Sequence, residues 1–189
     1  ISQGFGGILT GIVVVIILGT IIGTILEKSG AAITMADTVL KVVGEKRPGV
    51  AMSIIGYIVS IPVFCDSGFV ILSSLKKSLA KRSQVSAVMM SVALATGLYA
   101  THTLVPPTPG PIAAAGNLGL ENQLGWVILL GLVISIVPTV TGYLWAVKAG
   151  KKYKSKEDLE ALELDHAEIR EKYDKLPSAW KSFAPILDP

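Results

Sequence analysis

Read for apolar and polar positions, the chain is a series of long uncharged runs separated by short basic clusters. Gly4–Leu26 is 23 residues without a charge. At ~1.5 Å of rise per residue it is long enough to cross a hydrocarbon core of ~30 Å. Gly7, Gly11, Gly19 and Gly23 fall at multiples of four along it and form one stripe suited to close helix packing. Ala31–Val43 is weakly amphipathic, with Asp37 and Lys41, and is expected to lie along a membrane interface. Val50–Leu75 is apolar again, interrupted by Cys65-Asp66-Ser67-Gly68. Val85–Ala100 runs into a proline-rich stretch and resumes over Ile112–Ala115, and Leu124–Val147 follows, with an expected kink at Pro138. In lipid only helices and closed barrels satisfy their own backbone, so runs of this length predict an all-α, polytopic transmembrane protein.

The basic clusters set the topology. They are Lys41, Lys46 and Arg47; then Lys76, Lys77, Lys81 and Arg82; then Lys148, Lys151, Lys152, Lys154 and Lys156. If Val50–Leu75 were one span, the first two clusters would sit on opposite faces, against the positive-inside rule. A re-entrant hairpin over residues 50–80, turning at Asp66–Gly68, puts both on the cytoplasmic side. Each arm is then about 15 residues, or ~22 Å of helix. The broken segment 85–116 crosses outward, the loop Asn117–Gln123 carries no positive charge, and 124–147 returns. Trp126 at one end and Tyr143 and Trp145 at the other fit interfacial belts. The membrane region is thus 1–147, with spans at 4–26 and 124–147. Residues 148–179 read as a cytoplasmic charged linker. Within it Ser155–Leu176 is a helix candidate opening on a Ser155/Asp158 capping box. A regulatory or partner-binding role for that linker stays open. Residues 180–189 begin another apolar run, so the chain is expected to be an internal piece of a larger membrane protein.

Composition agrees. The chain is 51% hydrophobic, with mean hydropathy +0.60, values too apolar for an ordinary soluble domain. The net charge of +3 is small and sits beside apolar runs, so it marks topology and not a nucleic-acid surface. A single cysteine, Cys65, allows no internal disulfide. No basic leader or cleavage site marks the first run as a signal peptide.

The chemistry concentrates in two places. Tyr99-Ala-Thr-His-Thr-Leu-Val-Pro-Pro-Thr-Pro-Gly-Pro-Ile112 holds four prolines, a histidine and three threonines inside an apolar region. Broken backbone at membrane depth survives only when buried in protein or lining a cavity, which makes it a pointer to a transporter's binding site. His102 suits a proton relay or a switchable donor, or else it satisfies a freed carbonyl. The hydroxyls of Thr101, Thr103 and Thr108 suit a polyol or hydroxy acid, or else they rescue the broken backbone. Gly110 and Gly116 permit close backbone approach. The second place is Asp66, an intramembrane carboxyl and so a functional candidate by default. It could bind proton or substrate, and it could also cap the second hairpin arm. Helix starts after Gly68 and after Pro111 would attract an anion, a carboxylate above all. Cys65 reads as a small apolar filler, and His166 as a solvated linker residue. No nucleophile–base pair, metal-ligand spacing or phosphate loop is visible, so no cofactor or metal is expected. A reading as an intramembrane enzyme, with Asp66 and His102 as acid and base, would need further groups that the sequence does not show. A passive channel is the other remote reading.

Pro62-Val-Phe-Cys-Asp-Ser-Gly-Phe-Val-Ile-Leu72, with Gly97–Ile112 and Gly116-Asn-Leu118, resembles the gluconate permease family; the Gly-rich first helix and Leu26-Glu-Lys-Ser-Gly30 fit as well. These are bacterial symporters of gluconate with protons, with relatives for idonate, D-serine and similar small hydroxylated acids. The resemblance implies half of an inverted-repeat transporter in the bacterial cytoplasmic (inner) membrane. In that superfamily each repeat holds a re-entrant hairpin and an unwound helix. It implies that Asp66, Ser67 and Gly68 form the hairpin tip, and that His102, Thr103, Pro106, Pro107, Thr108, Pro109 and Gly110 form the unwound helix. The expected substrate-binding set is Asp66, Ser67, Gly68, Thr101, His102, Thr103, Pro107, Thr108 and Gly110, with Asp66 and His102 coupling protons. The implied partners are a small organic acid anion, protons, the lipid bilayer and the second half of the same transporter, with no nucleic acid. Sodium in place of protons, the acid carried and a homo-oligomeric state stay open.

Overall fold

A computed structural model describes residues 2–44, 46–153 and 155 of the chain. Nearly all of the linker assigned to 148–179 and the apolar run at 180–189, with His166, lie outside the described residues. The described part is helical and carries no strand. In order the helices are α1 (Ser2–Lys28), α2 (Ala31–Val43), α3 (Pro48–Val59), α4 (Cys65–Ile71), α5 (Ser73–Arg82), α6 (Ala87–Leu104), α7 (Pro109–Asn117) and α8 (Leu124–Lys152). A short 3-10 turn, Glu121–Gln123, precedes α8. Taken across their break, α6 and α7 are long and apolar enough to cross a membrane, as is α8 with its leading turn. Ile17–Lys28 of α1 and α2 pass the same test together, across a bend of 69°. Gly30 makes that bend with φ 74°, a left-handed backbone that costs glycine nothing.

The centre of the molecule is α3 laid against α6. Gly56 and Gly97 let the two backbones touch. A Cβ on Gly56 would stand 2.6 Å from the Leu94 carbonyl oxygen, and one on Gly97 would run into the Ser53 carbonyl. Gly49 lies beside Met89, and the Thr101 hydroxyl donates to the Tyr57 carbonyl, so α3 and α6 run in the same direction. Helix α8 runs the other way, with Gly131 against the Leu104 carbonyl, Gly142 against Thr96 and Gly150 against Met89. Small residues at these crossings are what helices need when lipid gives no hydrophobic drive to associate. Met35 of α2, Met52, Ile55 and Val59 of α3, Leu72 after α4, and Met90, Leu94 and Leu98 of α6 fill the core.

Between α3 and α4 the chain turns over Ser60–Phe64, at Pro62, and comes back. Gly68 of α4 faces Leu98, while Lys76 of α5 donates to the Ser91 hydroxyl at 2.9 Å. The return path is therefore antiparallel to α6. It brings Lys76, Lys77, Lys81 and Arg82 to the end of the molecule that holds Arg47, Lys148, Lys151 and Lys152. The turn lies ahead of the expected Asp66–Gly68, because Pro62 ends α3 and Asp66 and Gly68 are already helical. Helix α2 also departs from expectation. It is buried at Ala31, Ala32, Ile33, Met35, Ala36, Val39 and Leu40, because α3 packs on the face expected to meet an interface. Pro138 sits inside α8, which continues through it from Leu124 to Lys152.

Exposed apolar side chains run down α8, among them Trp126, Leu130, Val133, Val137, Leu144 and Trp145, and along α1 from Ile17 to Ile25. A water-facing domain would bury such surfaces, whereas a lipid-facing one leaves them open.

Candidate functional site

Two interruptions of regular helix define the site. The first is the Ser60–Phe64 turn. The second lies at Val105–Thr108, between α6 and α7, where Pro106 and Pro107 are joined by a cis peptide bond. Helix α1 rests on both. Gly23 faces the Pro62 carbonyl, where a Cβ would stand at 3.3 Å, and Gly19 faces the Pro107 carbonyl, where one would stand at 3.7 Å. The glycine stripe legible in the sequence thus marks where α1 approaches broken backbone.

The tip of the hairpin meets α6 through two side-chain pairs. The Phe64 ring stands edge-on to His102, with centroids 5.7 Å apart and planes at 63°. The Tyr99 hydroxyl donates to Oδ1 of Asp66 at 3.1 Å, and the Cys65 thiol approaches the same oxygen at 3.8 Å. Tyr99 and His102 are three residues apart on α6 and share a face. Asp66, Tyr99 and His102 are thereby gathered at one point. The His102 Nδ1 atom is buried and takes no hydrogen bond from the described residues. Buried polar atoms are almost always paired, so an unpaired one invites a functional account. Asp66 stays exposed. It does not cap α4, whose N-cap position is Phe64, with no side-chain hydrogen bond there.

The remaining candidates divide. Thr101 is fully buried and its hydroxyl donates to the Tyr57 carbonyl at 2.9 Å, tying α6 to α3. Thr108 is buried and donates to the Val105 carbonyl at 2.8 Å, closing the break from within. Thr103 is exposed, with its hydroxyl on the Tyr99 carbonyl at 2.7 Å. Pro107 and Gly110 are exposed, and a Cβ on Gly110 would meet no atom within 4 Å. Ser67 is half-buried on α4, and Gly68 is buried against Leu98. At the start of α7, Pro109 and Pro111 have no N–H, and Ile112 donates to the Thr108 carbonyl at 3.4 Å. Gly110 is left as the donor there, so that terminus is a weaker anion cradle than its position suggested. Among the described residues no cluster of His, Cys, Asp and Glu could hold a metal ion.

Two residues that sequence reading passed over belong to this region. Tyr99 lies in the quoted proline-rich stretch but reads as a helix surface aromatic until α4 is placed beside it. Tyr57 donates its hydroxyl to the Leu132 carbonyl and accepts from Ser135 at 3.1 Å, joining the top of α3 to α8. An open groove of about 550 Å³ lies on α1, lined by Thr20, Ile21, Thr24, Ile25, Lys28 and Ser29. None of the candidate residues lines it, and the chemistry lies elsewhere.

Two helices apolar and long enough to cross a membrane, a bent pair, a returning hairpin and two broken backbones near a carboxylate define a polytopic helical membrane protein. The chain belongs to the GntP permease family, whose model, described as "GntP family permease", matches residues 1–189. It is 43% identical over 196 residues to an uncharacterized permease of Haemophilus influenzae, covering 100% of this chain and 40% of that protein. It is 38% identical over 135 residues to the gluconate permease of Pseudomonas aeruginosa, covering 71% of this chain and 30% of that protein. It is 36% identical over 142 residues to the D-serine transporter DsdX of Escherichia coli K12, covering 75% and 31%. The chain thus spans 30–40% of the length of these curated relatives. No solved structure matches it. Family and relatives point to a permease, not an enzyme.

Proposed function

We propose that this chain is part of a proton-coupled secondary transporter that imports gluconate or a related small hydroxylated acid across the bacterial cytoplasmic membrane. The observation that carries this reading is the meeting of the hairpin tip and the broken α6–α7 segment around Asp66 and His102. A transporter needs an ionisable group beside backbone that can change conformation, and this chain supplies both at one point. Asp66 and His102 are the proton-coupling pair in this reading. Thr103, Pro107 and Gly110 are exposed along the α6–α7 segment and, with the half-buried Ser67, contact the substrate, while Gly68 keeps α4 close to α6. Thr101 and Thr108 serve the site by holding its backbone. The basic end of the bundle faces the cytoplasm, which makes α3–α5 a re-entrant hairpin entering from that side. The site is completed by the remainder of the same protein, which accounts for the exposure of Asp66.

The two named relatives support an organic acid with a hydroxyl near its carboxylate. The D-serine transporter is about as similar as the gluconate permease, so a hydroxylated amino acid is the second reading. The test is uptake of labelled gluconate and D-serine by the full-length protein in proteoliposomes, with and without an inward proton gradient. Saturable gluconate uptake that collapses with the gradient is expected. Uptake of D-serine alone would reassign the substrate, and uptake that follows sodium instead would reassign the coupling ion.

A further inference from the structure

We infer that Tyr99 is a positioning residue, holding the Asp66 carboxylate of the hairpin in place against α6. This rests on the transporter reading given above. Asp66 and Tyr99 lie 33 residues apart in sequence, on two elements that any change at the hairpin tip would separate. The Tyr99 hydroxyl and the Cys65 thiol both fall on Oδ1, and Oδ2 takes no hydrogen bond from the described residues. One oxygen is thus anchored and the other is left for a proton or a ligand. Tyr99 is 49% exposed although it sits mid-helix on α6, between the buried Leu98 and Ala100. A tyrosine kept for packing would be turned inward; this one carries its hydroxyl across to the neighbouring helix. One turn on, His102 is held by Phe64 from the same tip, so the two pairs fix the tip at two points.

Tyr99 differs from the groups that meet substrate. Its hydroxyl acts through Asp66, so losing it should loosen the carboxylate without removing it. A net hydrogen bond of this kind corresponds to about a fivefold change in an equilibrium. In the full-length protein, Tyr99→Phe is expected to raise the KM for uptake about fivefold, with Vmax per inserted molecule close to wild type. A purely structural tyrosine would lower abundance and Vmax and leave KM alone, and that result, or an unchanged KM, would overturn the inference. A second measurement does not depend on transport. The melting temperatures of Tyr99→Phe, Asp66→Ala and the double variant of the full-length protein form a cycle. Coupling is expected: once Asp66→Ala is in place, Tyr99→Phe should cause no further loss. Additive losses would overturn the pairing. If the wild type carries none of the acids under any gradient, the transporter reading fails, and the melting cycle still decides whether Tyr99 holds Asp66.

Discussion

At the scale of single residues, the structure sorts groups that look alike in sequence. Three threonines stand in one proline-rich stretch, yet two are buried and bound to backbone carbonyls while Thr103 is exposed. Thr101→Val leaves the Tyr57 carbonyl without its side-chain donor inside the bundle. It is expected to cost about 1–2 kcal/mol in the melting of the full-length protein. Thr103→Val should leave melting within about 0.5 kcal/mol of wild type and weaken uptake instead. If the two variants behaved alike in both assays, the division of roles would fall. Asp66→Asn should abolish gradient-driven uptake in proteoliposomes, and near-normal uptake would remove Asp66 from proton coupling. Asp66 and His102 stand out as candidates in the sequence because charge and imidazole are rare in apolar runs. Their contact with Tyr99 and Phe64 was not legible, since it joins two elements that share no local pattern. The same holds for Tyr57, whose partners lie 75 and 78 residues away.

At the scale of elements, the apolar runs 4–26 and 124–147 coincide with the long helices α1 and α8; length and absence of charge are what a membrane crossing demands. The break after α6 was legible from its prolines, each of which lacks an N–H. The hairpin turn was placed too late, since Cys-Asp-Ser-Gly has turn-like composition. The chain uses it as a helix start once Pro62 has ended α3. Helix α2 was misjudged because an amphipathic pattern does not say whether the apolar face meets lipid headgroups or another helix. The α3–α6 contact gives the clearest test at this scale. Gly97→Ala would drive a methyl group into the Ser53 carbonyl, and with no flexible side chain to yield, the helices must separate. A loss of about 2–3 kcal/mol in melting is expected; wild-type melting would mean that the two backbones do not touch. Cysteines at Lys46 and Lys81 should both react with a membrane-impermeant reagent from the same face. Labelling from opposite faces would exclude the returning hairpin.

At the scale of the whole molecule, the described helices form a bundle with all its basic clusters at one end. Its broken segments lie beside α1, and its most apolar surfaces are on α8 and α1. The class of protein was legible from the sequence; the packing order was not, because helix crossings depend on glycines whose partners lie far away in the chain. One of those crossings bears on how the protein is made. Helix α3 is only 12 residues long, and its buried face is completed by α6 and α8, which are synthesised after it. A chain made only as far as Arg82 therefore has α2 for α3 to lean on but lacks both α6 and α8. The hairpin should wait at the membrane surface and enter only when Ala87–Lys152 has been inserted. Ending the chain at Arg82 on a flexible tether long enough to clear the ribosome should leave a cysteine at Ser60 open to reagents on the cytoplasmic side, and extending the natural chain to Lys152 before the tether should close it. Assembly then proceeds out of chain order, with the Asp66 carboxylate carried into the bilayer among the last pieces to arrive.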